Sequence, residues 1–514
     1  MSMGSQVEFF KKPFFWFSTG VFFWFFGFFG RDFYFLFFIF GFIFFYINYI
    51  RNKNKLDDFF QKITPNKILL LWISYSIVTV IHQFLKFYSF KWNVLDVGSY
   101  SNAIYNGSYF LNFNSFLQIP ALADHFIPSL YLFSPLYLIY PSVHWITIAK
   151  TFSSLITPIL VYFWIRDKIE NKNEALWICF FFGTTLLLIY EPSINSYNFE
   201  FSPSSLALPI CILILIFYEK KQWIFFAISC LFLLGLKEHT GVVLVGIGLH
   251  YFFKNKSFFG ILFSLFGFIF SYLIVYQVLP YFRDYQFFYN TYTDPLKDLD
   301  LKLNYLVNLL IPLLFIPVIF WKNGIIAFPI IGINLISGKP SMYSSQYHHD
   351  DIASLLLILS CVLTYIDLRN KKIIINDKHY LKYFFLFFLI YQSITIKNSS
   401  PIKSLINDFP NAYHRNIIDE IEDIKKISTG YSTAVQNAIG PHFHQRDSVL
   451  MSSGKNNDCN PPLISGKLVD FIILHRELDS HMISDIDLCI KNLENNNKYQ
   501  KISKYQSLAV FRRN

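Results

Sequence analysis

Residues 92–107 read WNVLDVGSYSNAIYNG: a lone carboxylate, Asp96, followed by small and polar residues, just after a long apolar run that ends near Tyr88. Lys and Arg are the usual anchors at such a boundary, so an acid in this place needs a reason. Val97, Tyr100 and Ile104 fall at i, i+3 and i+7, with Ser99, Asn102 and Asn106 on the other side. That pattern predicts a short amphipathic helix on a membrane surface with Asp96 at its start. Two readings of Asp96 stay open: an N-cap, worth about 1 kcal/mol, or a chemical group at the membrane face.

The rest of the chain supplies the membrane. Of 514 residues, 54% are hydrophobic and 15% charged, and the mean hydropathy is +0.37; a soluble chain carries about 25% charged residues. The net charge of +10 does not mark a nucleic-acid partner, because Lys and Arg fall in short clusters between apolar runs and not on one basic face. The partner is the lipid bilayer.

Roughly thirteen apolar runs are long enough, or nearly so, to cross about 30 Å of hydrocarbon. Two lie in an N-terminal stretch, 13–50, preceded by Lys11 and Lys12; no small-residue cleavage site follows, so it is expected to stay as an uncleaved hairpin. About 11 more span 68–396, among them 68–88, 144–165, 258–279, 304–321, 325–337, 351–367 and 381–396. Every second connection is basic: 51–67, RDKIENK from Arg166, EKK from Glu219, KNK from Lys254, Lys322, and RNKK from Arg369. The positive-inside rule makes these cytoplasmic. The alternate connections, 89–143, 191–201, 237–240, 280–303 and 338–350, then face outward, as does the tail.

Beyond Ile396 the pattern turns polar, with strand-like runs LVDFIILH from Leu468 and SLAVFRR from Ser507 around a helix-like stretch. The expected architecture is an all-α polytopic membrane protein in three parts. These are a hairpin and basic linker (1–67), a transmembrane core (68–396) with a large first outer loop (89–143), and a small extracytoplasmic α/β domain (397–514). Only Cys459 and Cys489 lie outside the apolar runs. An oxidising compartment allows them to pair, but nothing in the sequence brings a turn-like NNDCNPP and a helical Cys489 together.

Ionisable residues cluster at the outer ends of the spans: Asp124 and His125 in ADHFIPSLYLFSPLYLIYPS, Glu200 in NFEFSP, Lys237, Glu238 and His239 in LKEHTG, and Tyr347, His348, His349, Asp350 and Asp351 in SSQYHHDD. Each has an innocent alternative: a surface histidine, a solvated loop acid, a snorkelling lysine, a helix cap. Span interiors, apart from His82 and Lys150, are nearly free of such groups. One outward-facing cavity is the economical explanation.

The order of LDVGSYSNAIYNG, DHFIPSLYLFSPLYLIYP, LKEHTGVVLVGIGLHYFF, the Tyr-His near residue 347 and, more weakly, STAVQNAIGPHFHQRDSVLMSS resembles the bacterial membrane family called domain of unknown function 2079. More broadly it resembles the C-type (GT-C) polytopic glycosyltransferases, such as protein mannosyltransferases and aminoarabinose transferases. The chain departs from the family pattern at His239 and Glu200. The resemblance implies transfer of a sugar from a polyprenyl-phosphate donor to an acceptor at the outer face of the cytoplasmic membrane. It casts Asp96 and Glu238 as catalytic carboxylates, and His125, Lys237, His348, Tyr347, Arg283 and Glu200 as substrate-binding residues. Some GT-C enzymes use a divalent metal ion; Asp96, Asp124, Glu238 and Asp350 are the available oxygen donors, without a fixed spacing. A non-catalytic envelope protein is the alternative. A secondary transporter would place ionisable groups near the midplane in two related halves, which this sequence does not show.

Overall fold

The computed structural model describes residues 64–169, 172–282, 296–371, 405–453 and 459–514. The hairpin 13–50, the run 381–396 and the boundary between core and tail domain lie outside them.

Among the described residues four helices are long and apolar enough to cross a membrane: Asn66–Tyr88, His144–Arg166, Phe258–Phe282 and His348–Asn370. The pair Glu174–Ile189 and Glu191–Asn198, bent by 61°, passes the same test of length and composition when its two helices are taken together, as a broken span or a re-entrant loop. The helix Asp351–Asn370 is the central post: 89% of its most apolar window is buried, against 33% for Asn66–Tyr88. Around it, Leu70, Ile77, Ile224, Leu231 and Phe268 turn large apolar side chains outward, the surface expected against lipid.

The runs 304–321 and 325–337 depart from the expected pair of spans. Helix Leu299–Leu310 gives way to a 3₁₀ turn at Ile311–Leu313, left-handed backbone at Leu314 and Phe315, and one-turn helices Ile316–Ile319 and Trp321–Gly324. Pro312 and Pro317 each lack the N–H that a continuous helix needs, which breaks the run. Helices Gly241–Asn255 and Phe258–Leu273, by contrast, pair closely through small residues; a Cβ on Gly260 would lie 2.5 Å from the Gly248 carbonyl oxygen.

The basic connections gather at one end of the bundle. Lys168 pairs with Glu219 at 2.6 Å, Lys220 with Asp167 at 2.9 Å, Lys254 with Asp367 at 2.9 Å, and Arg369 with Glu174. The clusters from the first outer loop and from residues 237–240 and 348–351 lie at the other end.

Over that other end sits a five-stranded sheet. Its strands are β1 (Thr433–Val435), β2 (Ser448–Leu450), β5 (Phe471–Leu474), β6 (Tyr499–Lys501) and β7 (Ala509–Arg513), in the order β2-β1-β5-β7-β6; β3 (Leu463–Ile464) and β4 (Lys467–Leu468) form a separate ribbon. β1 runs parallel to β2 and β5, while β7 is antiparallel to β5 and β6. Helix Ala412–Ile427 covers one face with Ile417, Ile421 and Ile424. Helix Ile486–Glu494 covers the other, where Cys489 is bonded to Cys459.

The sheet domain and the first outer loop share a core. Phe90, Val94 and Phe116 of the loop pack with Ile439, Phe443 and Phe471 of the domain. A Cβ on Gly440 would overlap the Val94 side chain, so only glycine allows this approach. The predicted surface helix, Ser99–Gly107, is therefore covered on its polar side too: Asn102 is fully buried and donates to the His444 carbonyl at 2.8 Å. A second tether joins His82 Nε2 to Asp408 Oδ2 at 2.8 Å.

Candidate active site

Asp96 does not cap a helix. It sits inside a π turn, Val94–Gly98, closed by the Gly98 N–H donating to the Asn93 carbonyl at 3.1 Å, and the N-cap of the following helix is Gly98. Such turns recur at functional sites because the extra residue re-aims a side chain. Among the described residues the Asp96 carboxylate accepts no hydrogen bond. Burial raises it to about 6 against the pull of Lys237, His125 and Lys150, with a further push from Asp124.

Lys237, between two apolar helices, is buried; its carbonyl accepts from the Thr240 hydroxyl at 2.7 Å, while its ammonium makes no ion pair or hydrogen bond among the described residues. Its charge reaches Asp96, Glu238, His348 and Asp351, so three distant parts of the chain meet around it. Glu238 turns instead to His125, whose Nδ1 lies 3.0 Å from Oε1, and its Oε2 accepts the Phe126 amide at 3.4 Å. Burial would raise the Glu238 carboxyl, but His125 and Lys237 outweigh it and hold the group well below the usual carboxylate range. Tyr100 completes this wall. Its ring lies against His125 with centroids 6.1 Å apart, and burial together with Asp124, Asp96 and Glu238 pushes its phenol up.

His348 is buried on the far side, its ring 4.5 Å from Phe199 and its Nδ1 without a partner among the described residues. The charges of Lys237, Lys150 and His125 all reach it. Tyr347 is not drawn in: its ring is exposed, and only its carbonyl is held, by Ser196 at 3.3 Å. Arg283 lies outside the described residues.

Glu200 is no solvated loop acid. It is buried, and both oxygens are taken by Asn93, Oε2 by the backbone N–H at 2.8 Å and Oε1 by the side-chain amide at 2.7 Å. Burial and the Asp96 charge push its carboxyl well up against those two donors.

The acidic metal candidates do not converge. Asp96 and Asp124 are neighbours, but Asp350 is fully buried elsewhere, accepting from the Tyr305 hydroxyl at 2.5 Å and the Asn334 amide at 3.4 Å. Among the described residues no three His, Cys, Asp or Glu side chains are grouped to hold a metal ion. Among the described residues the donor set does not fit a resident divalent ion.

A family described as "Predicted membrane protein (DUF2079)" matches residues 86–504. The chain belongs to that family. The match takes in the first outer loop, the Lys237–Glu238 pair and nearly all of the sheet domain, so in this DUF2079 chain the site and its cover fall within one family unit. Among solved structures the chain is similar to ArnT from Cupriavidus metallidurans bound to undecaprenyl phosphate, at 10% identity and a TM-score of 0.49, over 86% of this chain and 97% of that one. No curated protein matches the sequence.

Sequence reasoning set aside two members of the site. Lys150, noted as a lone cation in a span, donates to the Phe199 carbonyl at 2.7 Å and carries its charge to Asp96. Asp351 accepts from the Ser204 hydroxyl at 2.7 Å and borders the same small pocket as Lys150, Ser154 and Ser205. An isolated charge in an apolar helix was the available signal for Lys150. Asp351 stood in the outer cluster SSQYHHDD without a role of its own.

Proposed function

We propose that this DUF2079 chain is a glycosyltransferase of the GT-C kind, moving a sugar from a polyprenyl-phosphate donor to an acceptor hydroxyl or amine at the outer face of the cytoplasmic membrane. One observation carries the reading: the Asp96 carboxylate, which accepts no hydrogen bond among the described residues, lies within electrostatic reach of the Lys237 ammonium, which makes no ion pair among them. Neither side chain is committed to another protein group by a hydrogen bond or ion pair among the described residues, which leaves both available to a ligand. An acceptor and a leaving phosphate would satisfy both.

In the proposed step the acceptor's heteroatom bonds to the anomeric carbon while its proton passes to Asp96. The bond from that carbon to the phosphate oxygen breaks, and the phosphate departs with the electron pair. Asp96, raised to about 6, is ionised at neutral pH yet basic enough to take a proton. Lys237 faces the charge that grows on the phosphate, where a preorganised cation in a dry site acts most strongly. Glu238 holds His125 through Nδ1, which leaves Nε2 for the substrate. Glu238 therefore acts through His125.

The ion-paired basic end supports a cytoplasmic assignment by the positive-inside rule. The Cys459–Cys489 bond supports an oxidising compartment for the sheet domain. The test is binding of undecaprenyl phosphate to purified protein in lipid nanodiscs. Wild type and Asp96→Asn should bind it and Lys237→Met should bind at least tenfold more weakly; equal binding by all three, or by none, defeats the reading.

A further inference from the structure

The π turn that carries Asp96 is gripped from two sides. From the core, Glu200 takes the backbone N–H and side-chain amide of Asn93, the residue whose carbonyl closes the turn. From the sheet domain comes Asn437, just beyond β1. Its backbone and side-chain oxygens each accept the Val94 N–H at 3.1 Å, and its amide donates to Asn93 Oδ1 at 2.9 Å and Asp479 Oδ2 at 3.0 Å. The Asn437 side chain is buried, and all its contacts go to the turn or to its own domain.

We propose that Asn437 is a positioning residue for Asp96, so that the sheet domain completes the active site. The inference rests on Asp96 being the base of the proposed reaction. Val94 and Asn93 are the first residues of the turn, and their N–H groups are the ones a helical start leaves without intrahelical partners. Glu200 answers Asn93, and Asn437 answers Val94 while fixing the Asn93 side chain. With both in place the carboxylate two residues on is aimed at Lys237, His125 and Lys150, with Asp124, Glu200 and Tyr100 as its other charged or titratable neighbours. On the outer side, Asn93, Lys91, Tyr413, Glu477 and Asp479 border an open cleft between loop and domain. Without Asn437, that cleft is the route by which water would reach the turn.

Carbodiimide labelling of Asp96, followed by peptide mass spectrometry across pH, reads the environment of this carboxyl without any substrate, because only the protonated form reacts. In wild type, labelling should fall with a midpoint near 6, where burial holds the group. In Asn437→Ala the midpoint should drop by about one unit or more as water enters. Asn437→Leu is near in volume, adds no charge, and removes the side-chain acceptor and both donations, so its midpoint should drop as well. A melting transition and an intact Cys459–Cys489 bond check the fold of each variant, and if Asn437→Ala does not fold, Asn437→Leu decides. A wild-type midpoint in the folded variant overturns the proposal. A lowered midpoint in a protein whose wild type binds no undecaprenyl phosphate supports the positioning role while removing the glycosyl-transfer reading, so the two failures are separable.

Discussion

His125 Nδ1 lies 3.0 Å from Glu238 Oε1, although the two residues are 113 apart in sequence. The contact joins the proline-cut segment of the first outer loop to the turn between two apolar helices, and so sets where the loop stands over Lys237. Glu238→Gln keeps the shape but removes the charge that orients the ring. The expected result is a loss of about 10- to 100-fold in transfer, mainly in kcat, measured in a steady-state assay with a polyprenyl-phosphate sugar. A change confined to KM would contradict a role through His125.

Asp96→Asn should do two opposite things. Transfer should fall by roughly 10²- to 10⁴-fold with the base removed, and the wild-type rate should rise with pH through about 6. Stability should move the other way. The folded-state carboxyl sits at about 6 against a usual 3.8, so the native state holds the proton more tightly and loses stability as pH rises from one value to the other. Above pH 6 the asparagine variant should be the more stable by on the order of 1 to 3 kcal/mol, and near pH 4 the two should melt together. Thermal melts at both pH values check this.

Lys237 is a buried cation whose ammonium makes no ion pair among the described residues. Lys237→Met should lower the melting temperature of the ligand-free protein at neutral pH, because the Asp96 and Glu238 carboxylates lose the cation that favours their ionised forms. Added undecaprenyl phosphate should stabilise wild type but not the variant. Equal thermal shifts in the two proteins would show that the phosphate is held elsewhere.

Cys459 and Cys489 have Cα atoms 5.1 Å apart and close a segment of 30 residues. On the chain-entropy account the bond stabilises the sheet domain by roughly 3 to 4 kcal/mol. Thiol labelling of intact cells should tag neither cysteine before reduction and both after it. Cys459→Ser should lower the melting temperature of the domain without shifting the Asp96 labelling midpoint. Free reactivity of both thiols before reduction would count against both the bond and the outward placement.

The sequence was most legible where one physical effect dominates. Hydropathy located Pro65–Tyr88, His144–Arg166 and Asp351–Asn370, because a lipid-facing or bundle-core helix leaves little room for polar residues. The charged clusters at Lys237–Glu238, His125 and His348 stood out against that background. It was least legible where two effects compete. Ile316 to Ile319 is as apolar as a span, yet Pro312 and Pro317 break it. Asn102 and Asn106 marked a polar helix face, but periodicity does not reveal whether water or another domain covers it; the His444 carbonyl does. Asn93 and Asn437 carry no charge and no motif chemistry, so their part in aiming Asp96 emerges only when residues 344 apart are seen in contact.

The buried central helix also dictates an order of biogenesis. Residues 144–166 enter the bilayer carrying Lys150, whose acceptors on Phe199 and Glu200 are translated some 50 residues later. Lys150 lies six residues from the start of this helix, where its cost falls below that of a lysine at the helix centre, about 2.5 to 3.5 kcal/mol on insertion scales, and its acceptors come from sequence the ribosome has not yet read. Asp351–Asn370, the post against which the other helices pack, arrives later still. Until then the nascent bundle is a ring without a centre, and a chain stopped before residue 351 should be a substrate for membrane quality control.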